Sequence, residues 1–152
     1  MRLILDTNIL LSALLSPLGA PAKLLDAWER KAFTLVGCEP LIAELREVAG
    51  RPFFRARLRA SSAELLAAGI GDFSFFCGNL AAGPVAPDPK DSFLLALAEA
   101  SQAEFFVTGD KALLALKNHK STRIVTAAAM SARPARPSPL LNTHRLKALG
   151  CD

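Results

Sequence analysis

Among the 14 acidic residues of this chain, five stand where a carboxylate could take part in a reaction. Asp6 stops the apolar run Leu3-Ile4-Leu5 abruptly, and Asp110 follows Phe105-Phe106-Val107 by way of Thr108-Gly109. Asp88 and Asp91 open a strongly apolar stretch, and Glu44 lies one turn into another. Carboxylates gathered into one pocket repel, because like charges a few ångströms apart cannot all stay ionised. The usual resolution is a hard divalent cation, Mg²⁺ or Mn²⁺, taken up by carboxylate oxygens while several waters are kept. A cation held in this way lowers the pKa of a water and stabilises charge on a phosphate and its leaving oxygen. A converging set of these acids therefore suits metal-assisted hydrolysis of a phosphodiester.

Whether they converge depends on the elements that carry them. Arg2 to Leu5 is an apolar run bounded by polar residues, the pattern of a strand buried on both faces. Ile9 to Leu15 is an apolar segment of helix length, closed by Ser16-Pro17-Leu18-Gly19. A second helix is predicted from Pro21 to about Arg30, with Leu24, Leu25 and Trp28 on one face, and a strand from Phe33 to Val36. Glu39-Pro40 opens a helix to about Ala49 that buries Leu41, Leu45 and Val48. Ser61-Ser62-Ala63-Glu64 has the capping-box form and starts a helix toward Gly69, continued after Gly71 through Phe76. A very short strand within 83–86, a helix over Ser92 to Ala100 and a strand over Glu104 to Val107 follow. The helix Lys111 to Leu116 and a last strand Arg123 to Val125 complete the order. Strands alternating with helices predict an α/β fold, a central parallel sheet flanked by helices on both faces. In such a sheet the acids that follow strands share the C-terminal edge, where ligands bind. Residues 1–130 form this domain, and 131–152 read as a basic, proline-rich tail with a short helix over Leu140 to Leu149.

Each acid also has a plainer reading. Asp6 and Asp110 can cap the helices that follow them, Asp88 can cap with Pro89 at the first helical position, and Asp91 can complete a capping box. Glu44 can be a solvated helix residue. The constellation, and no single acid, carries the argument.

Composition bounds the rest. With 51% apolar residues the chain has ample core for one domain, and a charge of +4 with a pI near 9.3 is compatible with a nucleic-acid partner. Cys38, Cys77 and Cys151 are scattered and odd in number, which gives neither a disulfide framework nor a Cys-x-x-Cys metal site and favours a reducing, cytoplasmic setting. Asp6 interrupts the first apolar run too early for a secretory signal, and no stretch approaches the ~18 apolar residues of a membrane helix.

Four segments in order, Leu5-Asp6-Thr7-Asn8-Ile9, Pro40 to Leu45 around Glu44, Asp88-Pro89-Lys90-Asp91-Ser92 and Val107-Thr108-Gly109-Asp110-Lys111, resemble the PIN-domain nucleases. They look closest to the VapC-like toxins of bacterial toxin–antitoxin systems. The resemblance spans about residues 1–130. It implies a PIN-like, 5′-nuclease-like sandwich and a Mg²⁺- or Mn²⁺-dependent ribonuclease held inactive by a cognate antitoxin. Products with 5′-phosphate and 3′-hydroxyl ends, and a homodimer, are further expectations of it. Matched position by position, Asp6, Glu44, Asp91 and Asp110 fall on the family's acidic quartet, as catalytic residues and metal ligands, with Asp6 and Asp91 as the direct ligands. Asp88 matches an extra acid of the Asp-Pro-x-Asp variant. Asn8 and Thr108 match small polar residues that orient ligands or the attacking water.

The arginine-rich stretch Arg46, Arg51, Arg55, Arg57 and Arg59, with Phe53-Phe54 inside it, could meet RNA phosphates and bases, or an antitoxin segment. Its plainer reading is a solvated face with both rings in the core. Lys90 and Lys111 flank acids and could steer a phosphate. His119 and His144 stand alone and read as surface residues, while Trp28 and Cys38 read as core. A haloacid-dehalogenase-type phosphatase also places an Asp after its first strand, but it needs a second acid two residues later, where Asn8 stands. The remaining alternative is a PIN-like module that binds RNA or a protein without cutting.

Overall fold

Leu3, Ile4 and Leu5 are 0–1% exposed, because β1 (Arg2–Leu5) runs through the middle of the sheet with helices over both faces. Each such side chain contributes about 1.5–3 kcal/mol by leaving water. The computed structural model describes residues 1–80 and 86–133. After β1 come α1 (Thr7–Leu15), α2 (Ala20–Glu29), β2 (Thr34–Cys38), α3 (Glu39–Ala49), α4 (Pro52–Arg55), α5 (Ser62–Phe73) and β3 (Phe75–Cys77). A 3-10 turn (Pro89–Asp91) leads into α6 (Ser92–Ser101), β4 (Phe105–Val107), α7 (Lys111–Leu116), β5 (Asn118–His119), β6 (Thr122–Val125) and α8 (Ala127–Ser131).

The strand order is β3-β2-β1-β4-β6-β5. β1 pairs in parallel with β2 (Leu3 opposite Leu35) and with β4 (Leu3 opposite Phe105, Leu5 opposite Val107). The chain winds outward on one side of β1 through β2 and β3, then restarts on the other side with β4. The crevice outside β1 and β4 is therefore a topological switch point, the place where open α/β sheets take ligands.

The α/β sandwich with a largely parallel sheet is as the patterning predicts; individual elements differ, and α4 and α8 are not among those predicted. The third strand lies at Phe75–Cys77, where the patterning predicts a helical continuation; α5 instead runs unbroken through Gly69 and Gly71 and stops at Phe73. Residues 83–85 of the expected short strand lie outside the described residues, and Ala86 lies in no strand. A two-residue strand, β5, closes the sheet antiparallel to β6 through a tight turn in which Lys120 takes φ 52°. The capping box does not form, since Ser61 makes no cap bond and Glu64 pairs with Arg46 at 3.2 Å.

Gly37 in β2 is required by close approach: a Cβ there would meet Ser74 Oγ at 2.7 Å and Ile70 Cγ2 at 2.8 Å. Cys38 is fully buried, whereas Trp28 is only half-buried. His119 is not a free surface residue, for its side chain is 16% exposed and its Nε2 lies 3.0 Å from Glu99 Oε1. Among the described residues no single helix is long and apolar enough to cross a membrane. The helix expected over Leu140 to Leu149, with His144 and Cys151, lies outside the described residues. Arg133, the last described residue, places its guanidinium 4.5 Å from the Phe105 ring centroid.

Candidate active site

Asp6 is the residue at which β1 becomes α1. Its N–H still belongs to the sheet, donating to Val107 O at 3.0 Å, while its carbonyl already accepts the first helical bond from Leu10. The side chain is 8% exposed. Its Oδ1 accepts the adjacent Thr7 N–H at 2.7 Å and its Oδ2 accepts the Thr108 hydroxyl at 2.8 Å. A helix cap of the ordinary kind would bond the second or third helical N–H, which Asp6 does not do. The plainer capping account is thus a poor description of Asp6.

It is a good description of two other acids. Asp110 caps α7 through Oδ1, accepting from Ala112 N at 2.8 Å and Leu113 N at 3.2 Å, and Asp88 accepts from Lys90 N at 3.0 Å. A cap occupies one oxygen of each and leaves the other. Asp91, at the start of α6, makes no cap bond, so the expected capping box with Asp88 is absent.

Glu44 lies in the second turn of α3, half-buried, and its Oε2 accepts the Thr7 hydroxyl at 2.6 Å. Thr108 is wholly buried; besides donating to Asp6 it accepts the Asp110 N–H at 3.1 Å. Two threonines therefore tie three of the acids into one network. Sequence reasoning picks out Thr108 but not Thr7. The signal for Thr7 is its place beside Asp6 at the first position of a buried helix. Asn8, by contrast, is exposed, and among the described residues its side chain forms no hydrogen bond.

The acids sense one another electrically. Burial, above all, pushes the Asp6 carboxyl up; the Thr108 hydrogen bond pulls it down, Glu44 raises it, the Thr7 N–H lowers it and Asp110 raises it. Asp91 is pushed up to about 6, by burial first and then by the charges of Asp6, Asp88, Glu44 and Asp110. All five acids thus act on one region at the C-terminal edge of the sheet.

Among the described residues, no three acidic, His or Cys side chains are close enough to close around one cation. Mg²⁺ asks for less, since it commonly binds through one or two carboxylates and keeps several waters. The donor set here is all oxygen, and the Asp91 carboxylate takes no side-chain hydrogen bond among the described residues. Burial and, after it, the charges of the neighbouring acids disfavour the Asp91 carboxylate, and a divalent cation would offset both. Hard-cation binding fits this chemistry.

Of the predicted basic contacts, Lys90 and Lys111 are exposed beside Asp91 and Asp110. Arg46 pairs with Glu64 and Arg51 with Glu47 at 3.4 Å, both exposed, while Arg55 has no ion pair among the described residues. Away from the acids, a cavity of about 790 Å³ is lined by Leu14, Leu25, Trp28, Phe33, Leu66 and Phe73, and it contains none of the site residues.

No curated protein matches the chain. A family model described as the PIN domain matches residues 2–112, a span that holds all five acids and both threonines. The chain belongs to the PIN-domain family, whose members are generally nucleases that use divalent metal ions.

Proposed function

We propose that the protein is a metal-dependent endoribonuclease and the toxin component of a toxin–antitoxin pair, with RNA as its substrate. The observation that supports this most directly is the hydrogen-bond network at the switch point, in which Thr7 and Thr108 join Asp6, Glu44 and Asp110. A Mg²⁺ or Mn²⁺ ion held by Asp6 and Asp91, with Asp110 and Glu44 as further ligands or water-orienting groups, would supply Lewis acidity toward water and phosphate. The chain's own contribution is orientation. Thr108 and the Thr7 N–H fix both oxygens of Asp6, and the Thr7 hydroxyl holds Glu44. Lys90 and Lys111, exposed beside two of the acids, would attract the RNA backbone.

The antitoxin is what the VapC-like resemblance implies, and the apolar cavity is a surface on which it could dock. Leu65 and Phe73 on its wall are 70% and 78% exposed, and contiguous exposed apolar surface of this kind marks a partner site. A second reading, a PIN module that binds RNA or a protein without cutting, draws on the absence of a closed three-ligand cluster among the described residues.

Incubation of the purified protein with structured RNA separates the two. Cleavage with Mn²⁺ that disappears with EDTA and in Asp6→Asn supports the nuclease. Cleavage surviving either change would falsify the metal–carboxylate mechanism, and intact RNA under all conditions favours the binding module. For the toxin role, expression should arrest growth, and a small protein encoded beside this one should relieve the arrest.

A further inference from the structure

Between Arg51 and Ala60 the chain reads Arg-Pro-Phe-Phe-Arg-Ala-Arg-Leu-Arg-Ala, four cations without one acid. The structure separates the roles of the two rings. Phe54 is half-buried and packs against the core, whereas Phe53 is 55% exposed. They meet edge to face, with centroids 5.1 Å apart and planes at 83°. Arg57 lies with its guanidinium 4.0 Å from the Phe53 ring centroid and donates from Nη1 to Phe53 O at 2.8 Å. A cation and an aromatic ring are thus held together in solvent by a hydrogen bond that fixes the guanidinium. Arg55 and Arg59 are exposed and form no ion pair among the described residues.

Exposed cations alone would be an ordinary solvated face. An exposed ring held against one of those guanidiniums adds a flat apolar surface that a solvated cationic face lacks. The ring and its cations follow directly on the helix that carries Glu44. Glu44 lies five residues before the end of α3, ~7.5 Å of helix rise, and α4 begins at Pro52. Arg51 N–H donates to Val48 O at 3.1 Å, so α4 is bonded directly to the end of α3.

We propose that α4 and the residues after it form a docking platform for single-stranded RNA at the end of the helix that carries Glu44. An unpaired base stacks on the Phe53–Arg57 pair, and Arg55 and Arg59 take the flanking phosphates. Single strands are the fitting class, since their bases are free to stack on aromatic rings and guanidinium planes. An acidic protein segment would satisfy the arginines but would have no use for the planar surface. The platform rests on the nuclease reading for its biological purpose, while its binding is measurable without cleavage.

Fluorescence anisotropy of the full chain in EDTA, with a short labelled oligoadenylate, tests it. Phe53→Ala should weaken binding roughly 5- to 150-fold, the range for removing one base stack. Arg55→Ala with Arg59→Ala should flatten the salt dependence by roughly 0.7 in log–log slope for each phosphate no longer neutralised. Phe53→Trp should bind at least as well as the parent, and Arg30→Ala, loss of an arginine at the end of α2, should leave binding unaltered. Phe53→Ala should not affect a duplex RNA probe. Wild-type affinity in Phe53→Ala, equal weakening on duplex RNA, or weakening that shows only with a polyglutamate probe would each overturn the proposal. Loss of cleavage with intact binding would instead count against the nuclease reading alone.

Discussion

The Thr7 hydroxyl donates to Glu44 Oε2 at 2.6 Å, joining the first turn of α1 to the second turn of α3 across 37 residues of sequence. Thr7 is 2% exposed, so no water can take its place. Thr7→Val should lower the cleavage rate roughly 10- to 100-fold, the usual cost of losing a group that orients a ligand. Thr7→Ser should restore most of it. Steady-state cleavage of a labelled RNA with Mn²⁺ decides the matter, and equal rates in Thr7→Val and wild type would remove Glu44 orientation from the mechanism.

Asp6→Asn should abolish cleavage yet raise the melting temperature of the metal-free protein. The sign follows from burial and like charge: both push the folded-state carboxyl of Asp6 up, so ionising it costs folding free energy at neutral pH. A neutral amide removes that cost. Thermal melts in EDTA at neutral pH read it directly, and a lower melting temperature in Asp6→Asn would show that the Thr108 and Thr7 hydrogen bonds outweigh the repulsion.

Stability without metal should fall as pH rises from about 4 to about 6. Asp91 has an ordinary value of 3.8 and is raised to about 6 in the fold, so within that window the native state holds more protons than the unfolded chain. Asp91→Asn should remove this part of the profile. Mn²⁺ should raise the melting temperature above pH 6 and progressively less below it, as protons compete for the carboxylate. A Mn²⁺ increment that does not change across that pH would place the cation elsewhere.

Gly37→Ala should destabilise by about 1–3 kcal/mol, the range for an overpacked core. The added methyl would sit 2.7 Å from Ser74 Oγ and 2.8 Å from Ile70 Cγ2, and Ile70 is wholly buried and cannot swing aside. Denaturant melts measure it; a change below a few tenths of a kcal/mol would mean that α5 shifts freely against β2.

The parts legible in sequence are those whose environment is uniform. Leu3 to Leu5 is buried on both faces and reads as an unbroken apolar run, and Leu41, Leu45 and Val48 give α3 a clean stripe. β3 escapes the patterning because Phe75 and Phe76 are 39% and 36% exposed on an edge strand, so they show neither alternation nor a buried run. β5 holds two residues, too few for any pattern. Four of the acids are legible as a set because each follows a strand or opens a helix, and Glu44, in the second turn of α3, joins them by the family resemblance. Which of them merely cap is not, since capping and ligation draw on the same residue types at the same positions. Asp110 and Asp88 are told from Asp6 only by which N–H groups their oxygens accept.

The bond pattern of Thr108 also has a direction. Its oxygen receives the Asp110 N–H, and its single hydroxyl proton goes to Asp6 Oδ2, which when ionised can only accept. The Thr7 N–H is likewise committed to Oδ1. Each oxygen of the ionised Asp6 therefore has one lone pair occupied from the protein side by a donor. What remains for the crevice is electron pairs without protons. The strand ends thus act as a one-way arrangement of donors, polarised so that β1 ends in an acceptor.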